Sequence, residues 1–113
     1  MAKFITIGYG DQSGYDKTAP EIRTAAHAVD ASLKARGAIV GVAGTPVQVR
    51  NHGNTGTKTT AGPYLQSELP IAGFALIEAA DLNEAIALVS GTPCAVAFGV
   101  VEVWPLEDSS TPQ

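Results

Sequence analysis

The chain has 113 residues, of which 45% are hydrophobic and 16% charged, and its formal net charge is −4. This length excludes two domains and predicts one domain over residues 1–107, followed by a polar tail over 108–113. The acidic balance argues against nucleic-acid binding, and one cysteine with two histidines excludes an internal disulfide and a Cys/His zinc site, so no metal is expected.

The first half of the chain has a strand–helix–strand pattern. Residues 3–9 are β-branched and aromatic, which predicts a strand, and the Gly/Ser-containing residues 12–16 predict a loop. Thr18 and Glu21 have the spacing of a capping box, which predicts a helix from about Ala19. Its predicted buried stripe consists of Ile22, Ala25, Ala26, Val29 and Leu33.

The middle of the chain predicts a long strand and a hairpin. Residues 38–50 form an apolar and then alternating run, interrupted at Gly44-Thr45-Pro46, which predicts one strand with a kink. Turn-forming residues follow it, and 57–60 can pair back as a polar strand. We expect this hairpin, over 47–60, to project into solvent.

The second half repeats the order of the first. Residues 71–77 predict a strand, Asp81 and Glu84 repeat the capping-box spacing before a short helix, and 95–104 predict the last strand. Two such units favour an α+β ferredoxin-like sandwich, in which an antiparallel sheet carries both helices on one face.

The apolar strands also predict how the chain assembles. Residues 71–77 contain no polar side chain and 95–104 contain only Glu102, so both faces of the sheet should be apolar. Two helices can cover only one face. We therefore expect a homodimer in which a second copy covers the other face.

Several motifs, taken in order, resemble the YCII-related proteins and specifically their DGPF-domain branch. They are Ile7-Gly8-Tyr9-Gly10-Asp11, Gly37-Ala38, Thr60-Ala61-Gly62-Pro63-Tyr64 with Glu68, Ala72-Gly73-Phe74, Asp81-Leu82-Asn83-Glu84-Ala85 and Val101-Glu102-Val103-Trp104-Pro105. The resemblance spans nearly the whole chain and implies a dimeric α/β barrel. The signature Asp-Gly-Pro-Phe reads Ala61-Gly62-Pro63-Tyr64 here, so its carboxylate is absent. The wider group also implies a His–Asp dyad with the histidine on the first helix, where His27 lies.

His27 and Asp30 are the first catalytic candidates, because histidine suits general acid–base work and Asp30 follows three residues later on the predicted helix. Helical geometry favours another interpretation. Measured from Ile22 as the centre of the buried stripe, His27 lies about 140° away on the polar face. A solvated surface pair and a catalytic dyad therefore both stay open.

Four further residues are candidates. Asp11 ends the first strand beside a Gly-rich loop, where it could act as a base or cap its own backbone; Tyr9 precedes it as a ligand-binding candidate. Tyr64 and Glu68 lie in an irregular segment predicted to border a cleft, where they bind a ligand or simply pack the loop. Convergence of these four residues around one cavity would favour an enzyme.

Two functions follow from these observations. One is a small homodimeric protein that binds a small, partly apolar organic molecule between sheet and helices, with cofactor-free proton transfer of an isomerase or lyase kind. The alternative is a non-catalytic dimerisation or ligand-binding module. No apolar run approaches the roughly 20 residues of a membrane helix and no secretory signal is visible, so we expect a cytoplasmic location and no membrane contact.

Overall fold

The computed structural model describes residues 1–107; the polar tail predicted over 108–113 lies outside the described residues. Helices and strands alternate along this part of the chain. In order they are β1 (Ala2–Tyr9), α1 (Gln12–Asp16), α2 (Pro20–Ala35), β2 (Ile39–Val42), β3 (Val47–Arg50), a 3₁₀ turn (His52–Asn54), β4 (Lys58–Ala61), β5 (Ile71–Ala79), α3 (Leu82–Val89), α4 (Pro93–Val96) and β6 (Val100–Pro105).

Four strands form the main sheet in the order β2-β5-β1-β6, and every neighbouring pair is antiparallel. This is the order that two strand–helix–strand units give when the first strand of each unit, here β1 and β5, lies in the centre. The mixed α+β architecture predicted from the sequence is confirmed and is compatible with a ferredoxin-like sandwich.

The two longer helices share one face of the sheet. Phe4 and Ile77 lie opposite each other on β1 and β5 and pack against Ala85 and Val89 of α3. Ile77 is only 2% exposed and is the largest fully buried side chain of the described residues. The core of the domain therefore lies between β1, β5 and α3, and α2 covers the neighbouring part of the same face.

Within residues 1–107, no helix lies on the other face of the sheet. We call it the open face; it carries Ile5, Ile7, Leu76, Phe74, Ile39, Val100 and Trp104. Ile5, Phe74 and Trp104 are exposed although they are large and apolar. The prediction that both faces of the sheet are apolar is thus confirmed.

The capping box at the start of α3 is confirmed. The carboxylate of Asp81 accepts a hydrogen bond from the backbone N–H of Glu84 at 2.8 Å, and the Glu84 carboxylate accepts one from the N–H of Ala80 at 3.0 Å. The first bond satisfies a donor that the first helical turn leaves free, and the second ties the residue before the N-cap to that turn.

The capping box predicted at Thr18 is wrong. Ala19 precedes α2 and makes no side-chain cap, while the Thr18 hydroxyl donates to the carbonyl oxygen of Gly14 at 2.8 Å. Residues 12–16 are not a loop but form α1, because Asp11 caps this turn by accepting the Gly14 N–H at 2.9 Å. The hydroxyl that would cap α2 is thus used to close α1.

The single kinked strand predicted over 38–50 is two strands in two sheets. β2 belongs to the main sheet, whereas β3 pairs with β4 in a separate two-stranded sheet. The Gly44-Thr45-Pro46 break separates them completely, since proline cannot donate to a ladder. The predicted hairpin itself is confirmed, with Val47 opposite Ala61.

The last strand is shorter than the predicted 95–104. Pro93 begins α4, where its missing N–H costs nothing, and the strand β6 starts only at Val100. Between them Phe98 has a φ of +63°, and a side chain at Gly99 would overlap the Tyr9 carbonyl oxygen. The chain turns sharply here and α4 comes to lie near β1.

None of the helices within residues 1–107 has both the length and the apolar character needed to span a membrane.

Candidate functional site

A cleft of about 390 Å³ lies between α2, α4 and the helix-covered face of the sheet. Most of its wall is apolar or backbone, supplied by β1, β2, β5 and β6. The polar side chains that line it are Thr6 of β1, His27, Asp30 and Lys34 of α2, Thr92 before α4, and Cys94 of α4. A largely apolar pocket with a few polar groups is typical of sites for small organic molecules.

The buried stripe of α2 is centred differently from the prediction. Ala26 and Leu33 are buried, whereas Ile22 is 47% exposed. Measured from Ala26, Asp30 lies about 40° and His27 about 100° around the helix, compared with the 140° predicted from Ile22. His27 is an exposed residue at the rim of the cleft, and Asp30 is half-buried inside the rim. The two candidates therefore do line a common cavity.

Burial controls the charge of Asp30. Loss of hydration raises the pKa of its carboxyl group, and the nearby His27 and Lys34 lower it by less. A carboxylate held in this way binds a proton more readily than one in water. This suits Asp30 to exchange a proton with a bound molecule.

Cys94 closes one end of the cleft. A Cβ at Gly8 would lie 2.9 Å from the Cys94 sulphur, so α4 can approach β1 this closely only because residue 8 is glycine. Burial, together with the Asp30 carboxylate, raises the pKa of the Cys94 thiol. A partly buried thiol whose pKa is raised holds little thiolate at neutral pH, so Cys94 is a poor nucleophile.

Tyr15 is a site residue that the sequence reasoning missed. Its hydroxyl lies 2.9 Å from Nε2 of His27. The guanidinium of Arg23 lies 4.9 Å from the centre of the same ring. An Asp three residues before Gly14 is a local signal for a capped turn, and it would have placed Tyr15 on a helix. The contact with His27 depends on packing between α1 and α2, for which the sequence carries no signal.

Tyr9 and Glu102 lie on the opposite side of the sheet from the cleft. The Tyr9 hydroxyl donates a short hydrogen bond to the Glu102 carboxylate, and Tyr9 is buried. This hydrogen bond, followed by burial and by the charge of Glu102, raises the pKa of Tyr9 from 10.0 to about 12. Both residues share the face of the sheet that carries Val100 and Trp104.

The other candidates also lie away from the cleft. Asp11 caps α1, and Tyr64 is 79% exposed, with the guanidinium of Arg50 lying 5.7 Å from its ring centre. Glu68 is exposed in the segment before β5. The expected convergence of Tyr9, Asp11, Tyr64 and Glu68 around one cavity is therefore not found; of the six candidates, His27 and Asp30 line the cleft within residues 1–107.

The Tyr9–Glu102 pair predicts an alkaline loss of stability. The pKa of folded Tyr9, about 12, exceeds its ordinary value of 10.0, so its contribution to the free energy of unfolding is complete below pH 10 and disappears between pH 10 and 12. The measurement is absorbance at 295 nm against pH, in which the wild-type minus Tyr9→Phe difference reports Tyr9 alone. We expect a midpoint near pH 12 that falls when Glu102 is changed to Gln. A Tyr9 titration midpoint near pH 10 in the wild type would contradict the predicted effect of the Tyr9–Glu102 pair.

No group of three or more His, Cys, Asp and Glu side chains within residues 1–107 is arranged to hold a metal ion.

The family model described as the YCII-related domain matches residues 2–109. No curated protein matches the chain.

Proposed function

We propose that this chain, which belongs to the YCII-related domain family, is a homodimeric protein that binds a small, partly apolar organic molecule in the cleft. We propose further that His27 and Asp30 move a proton on that molecule without a cofactor. The observation that carries the proposal is the placement of Asp30 and His27 on one wall of a largely apolar cavity.

The size and lining of the cleft support a small-molecule ligand. Its volume of about 390 Å³ is within the range of ligand pockets. Val40, Val42 and Val101 offer apolar contact, while Thr6 and Lys34 offer a hydroxyl and an ammonium group. A ligand with an apolar body and one carbonyl or carboxylate group would use both kinds of surface.

The chemistry that this wall supports is proton transfer at a carbon next to a carbonyl group. A base removes the proton, and the electron pair of the broken C–H bond forms a C=C bond as the carbonyl oxygen becomes negative. Lys34 lines the same cleft, and its ammonium group would stabilise that oxygen. Return of the proton to another carbon gives an isomer, and loss of a leaving group gives a lyase product.

The DGPF branch and a cytoplasmic location are part of the proposal. Gly62, at the second position of the Ala61-Gly62-Pro63-Tyr64 sequence, has a φ of +96°, and its N–H donates to the Pro46 carbonyl at 3.1 Å. This explains why glycine is needed in the signature, whose first and last residues differ here. The free thiol of Cys94 suits a reducing compartment.

A second copy of the chain is the proposed occupant of the open face. Ile5 and Phe74 are exposed at a hollow of about 420 Å³, and the exposed Trp104 lies beside Ile5 on the neighbouring strand. The open face of a second copy carries the same apolar side chains, so each face can cover the other. Two such faces related by a two-fold axis would form a closed, isologous interface. Packing of the two sheets would produce a dimeric α/β barrel.

A non-catalytic module is the alternative. It is favoured by the absence of four of the six candidate residues from the cleft lining within the described part of the chain. In this case the cleft would only hold a ligand, and the open face would only dimerise.

The two functions differ in carbon-bound hydrogen exchange. We expect the protein to exchange hydrogen for deuterium next to the carbonyl group of members of a panel of small cyclic ketones and 2-oxo acids in D₂O, observed by NMR. Loss of a positioned acid or base costs about 10²–10⁴-fold in rate, so His27→Ala and Asp30→Asn should reduce exchange by that factor. His52→Ala, an exposed change on the distant hairpin, is the matched control and should exchange at the wild-type rate.

Native mass spectrometry of freshly purified protein complements this assay. A dimer carrying an additional small mass that His27→Ala and Asp30→Asn lose, but His52→Ala keeps, would support the cleft as the site. Binding without exchange would favour the module. Exchange that survives in Asp30→Asn and His27→Ala would refute the proposed chemistry.

A further inference from the structure

The polar contact between Tyr15 and His27 determines what His27 can do in the cleft. The Tyr15 hydroxyl lies 2.9 Å from Nε2 of His27, so only one ring nitrogen of His27, Nδ1, is left for other partners. We propose that Tyr15 is a positioning residue that donates its hydrogen to Nε2 and thereby holds the His27 proton on Nδ1. His27 then acts as a hydrogen-bond donor, and Asp30 acts as the base.

Tyr15 is held in place from both ends of α1. Asp11 caps the first turn through the Gly14 N–H, and Thr18 binds the Gly14 carbonyl after the last turn. A Cβ at Gly14 would overlap the carbonyl oxygen of Ala97, so this turn packs directly on the backbone before β6. Lys17, at the end of α1, lies 4.6 Å from the ring centre of Phe98 in the same segment.

The Tyr15 ring is also held from the side of α2. The Arg23 guanidinium lies 4.9 Å from its ring centre, and the Tyr15 and His27 rings are 5.9 Å apart with an interplanar angle of 59°. A tilted ring pair with a cation over one face is a favourable arrangement. The hydroxyl is therefore presented to His27 by a fixed ring rather than by a freely rotating one.

The direction of the hydrogen bond follows from acid–base chemistry. A phenol is a stronger acid than a neutral imidazole N–H, and an imidazole nitrogen is a stronger acceptor than a phenol oxygen. The favoured bond therefore runs from the Tyr15 hydroxyl to Nε2. The tautomer of a histidine is set by the bond that its other nitrogen makes, so neutral His27 carries its proton on Nδ1.

This tautomer assigns the roles in the proposed proton transfer. An imidazole with Nε2 occupied and Nδ1 protonated has no free lone pair with which to take a proton. It can donate Nδ1–H to a carbonyl oxygen while the Asp30 carboxylate takes the proton from carbon. A neutral histidine donor beside a carboxylate base is an established division of labour for this chemistry. The assignment of roles rests on the proposed function, whereas the tautomer does not.

The tautomer is measured on the ligand-free protein. Long-range ¹H–¹⁵N NMR of ¹⁵N-histidine-labelled protein, at a pH where both imidazoles are neutral, distinguishes pyrrole-type from pyridine-type nitrogens. We expect Nδ1 of His27 to be pyrrole-type. His52, exposed at the hairpin tip, should show the mixture with mainly Nε2–H that free imidazole side chains favour. A His52→Gln sample assigns the two sets of signals.

Tyr15→Phe keeps the ring beside Arg23 and removes only the hydroxyl. We expect the His27 signals to move to the His52 pattern, so that pyrrole and pyridine types exchange between the two nitrogens. Tyr64→Phe is the matched control, because this exposed hydroxyl makes no contact with either histidine, and it should leave His27 unchanged.

Three results would overturn the proposal. His27 with Nε2–H in the wild type would reverse the bond and make His27 the base. A His27 pattern that Tyr15→Phe does not alter would remove Tyr15 from the positioning role. A wild-type His27 with the same nitrogen signals as His52 would also remove Tyr15 from the positioning role. This result does not depend on whether Tyr15→Phe folds. Failure of the cleft to bind or turn over any organic molecule would leave these spectra as expected, so the two proposals fail separately.

Discussion

Trp104→Glu is expected to convert the proposed dimer into a folded monomer. Trp104 lies on the open face opposite Ile5 and is 55% exposed in the single chain, so a carboxylate there stays hydrated in the monomer. In a face-to-face dimer the same carboxylate would be buried against apolar side chains without a partner. Large buried aromatic anchors cost about 2–4 kcal/mol when removed, which alone weakens association by about 30-fold to 1,000-fold.

The measurement is the mass in solution by light scattering over a range of micromolar concentrations. Ile22→Glu is the matched control, because Ile22 is 47% exposed on α2 and lies outside the open face. It should remain dimeric while Trp104→Glu becomes monomeric with an unchanged far-ultraviolet circular dichroism spectrum. A wild-type monomer, or a Trp104→Glu dimer as tight as the wild type, would remove the second copy from the open face.

Most of the sheet could be predicted from the sequence because its signals are local. The apolar run at 71–77 and the Asp81–Glu84 spacing both specify structure within a few residues, and β5 and α3 begin where these signals begin. The wrong predictions share a cause. Thr18 had two possible partners, and the choice of the Gly14 carbonyl depends on α1, which itself packs on a distant segment.

The candidate site was predictable only in part, for the same reason. His27 and Asp30 were identified from residue type and spacing, but their position relative to the cleft depends on which side of α2 is buried. The sequence suggested Ile22 as the centre of that side, whereas the buried residues are Ala26 and Leu33. Tyr15 could not be found, since its role arises from a contact with His27, twelve residues further along the chain on another helix.

Ile77→Ala is expected to lower the free energy of unfolding by about 3 kcal/mol. Ile77 lies opposite Phe4 and packs against Ala85 and Val89, so truncation leaves a cavity under α3. Isoleucine-to-alanine changes in cores cost about 2–5 kcal/mol, a large part of the roughly 5–15 kcal/mol that small domains have. The measurement is urea unfolding with variant and wild type at matched protein concentration, repeated over a range of concentrations, because binding of a second copy would add to apparent stability.

Leu76→Ala is the matched control for this change, because it removes a similar volume from the neighbouring position on the same strand. Leu76 pairs with Ile5 on the open face and is only half-buried in the single chain. We therefore expect Ile77→Ala to lower stability equally at all concentrations, and Leu76→Ala to lower it mainly where the dimer forms. Equal and concentration-independent losses in both variants would mean that the two faces of β5 are equally packed within one chain, which would contradict both the core assignment and the dimer.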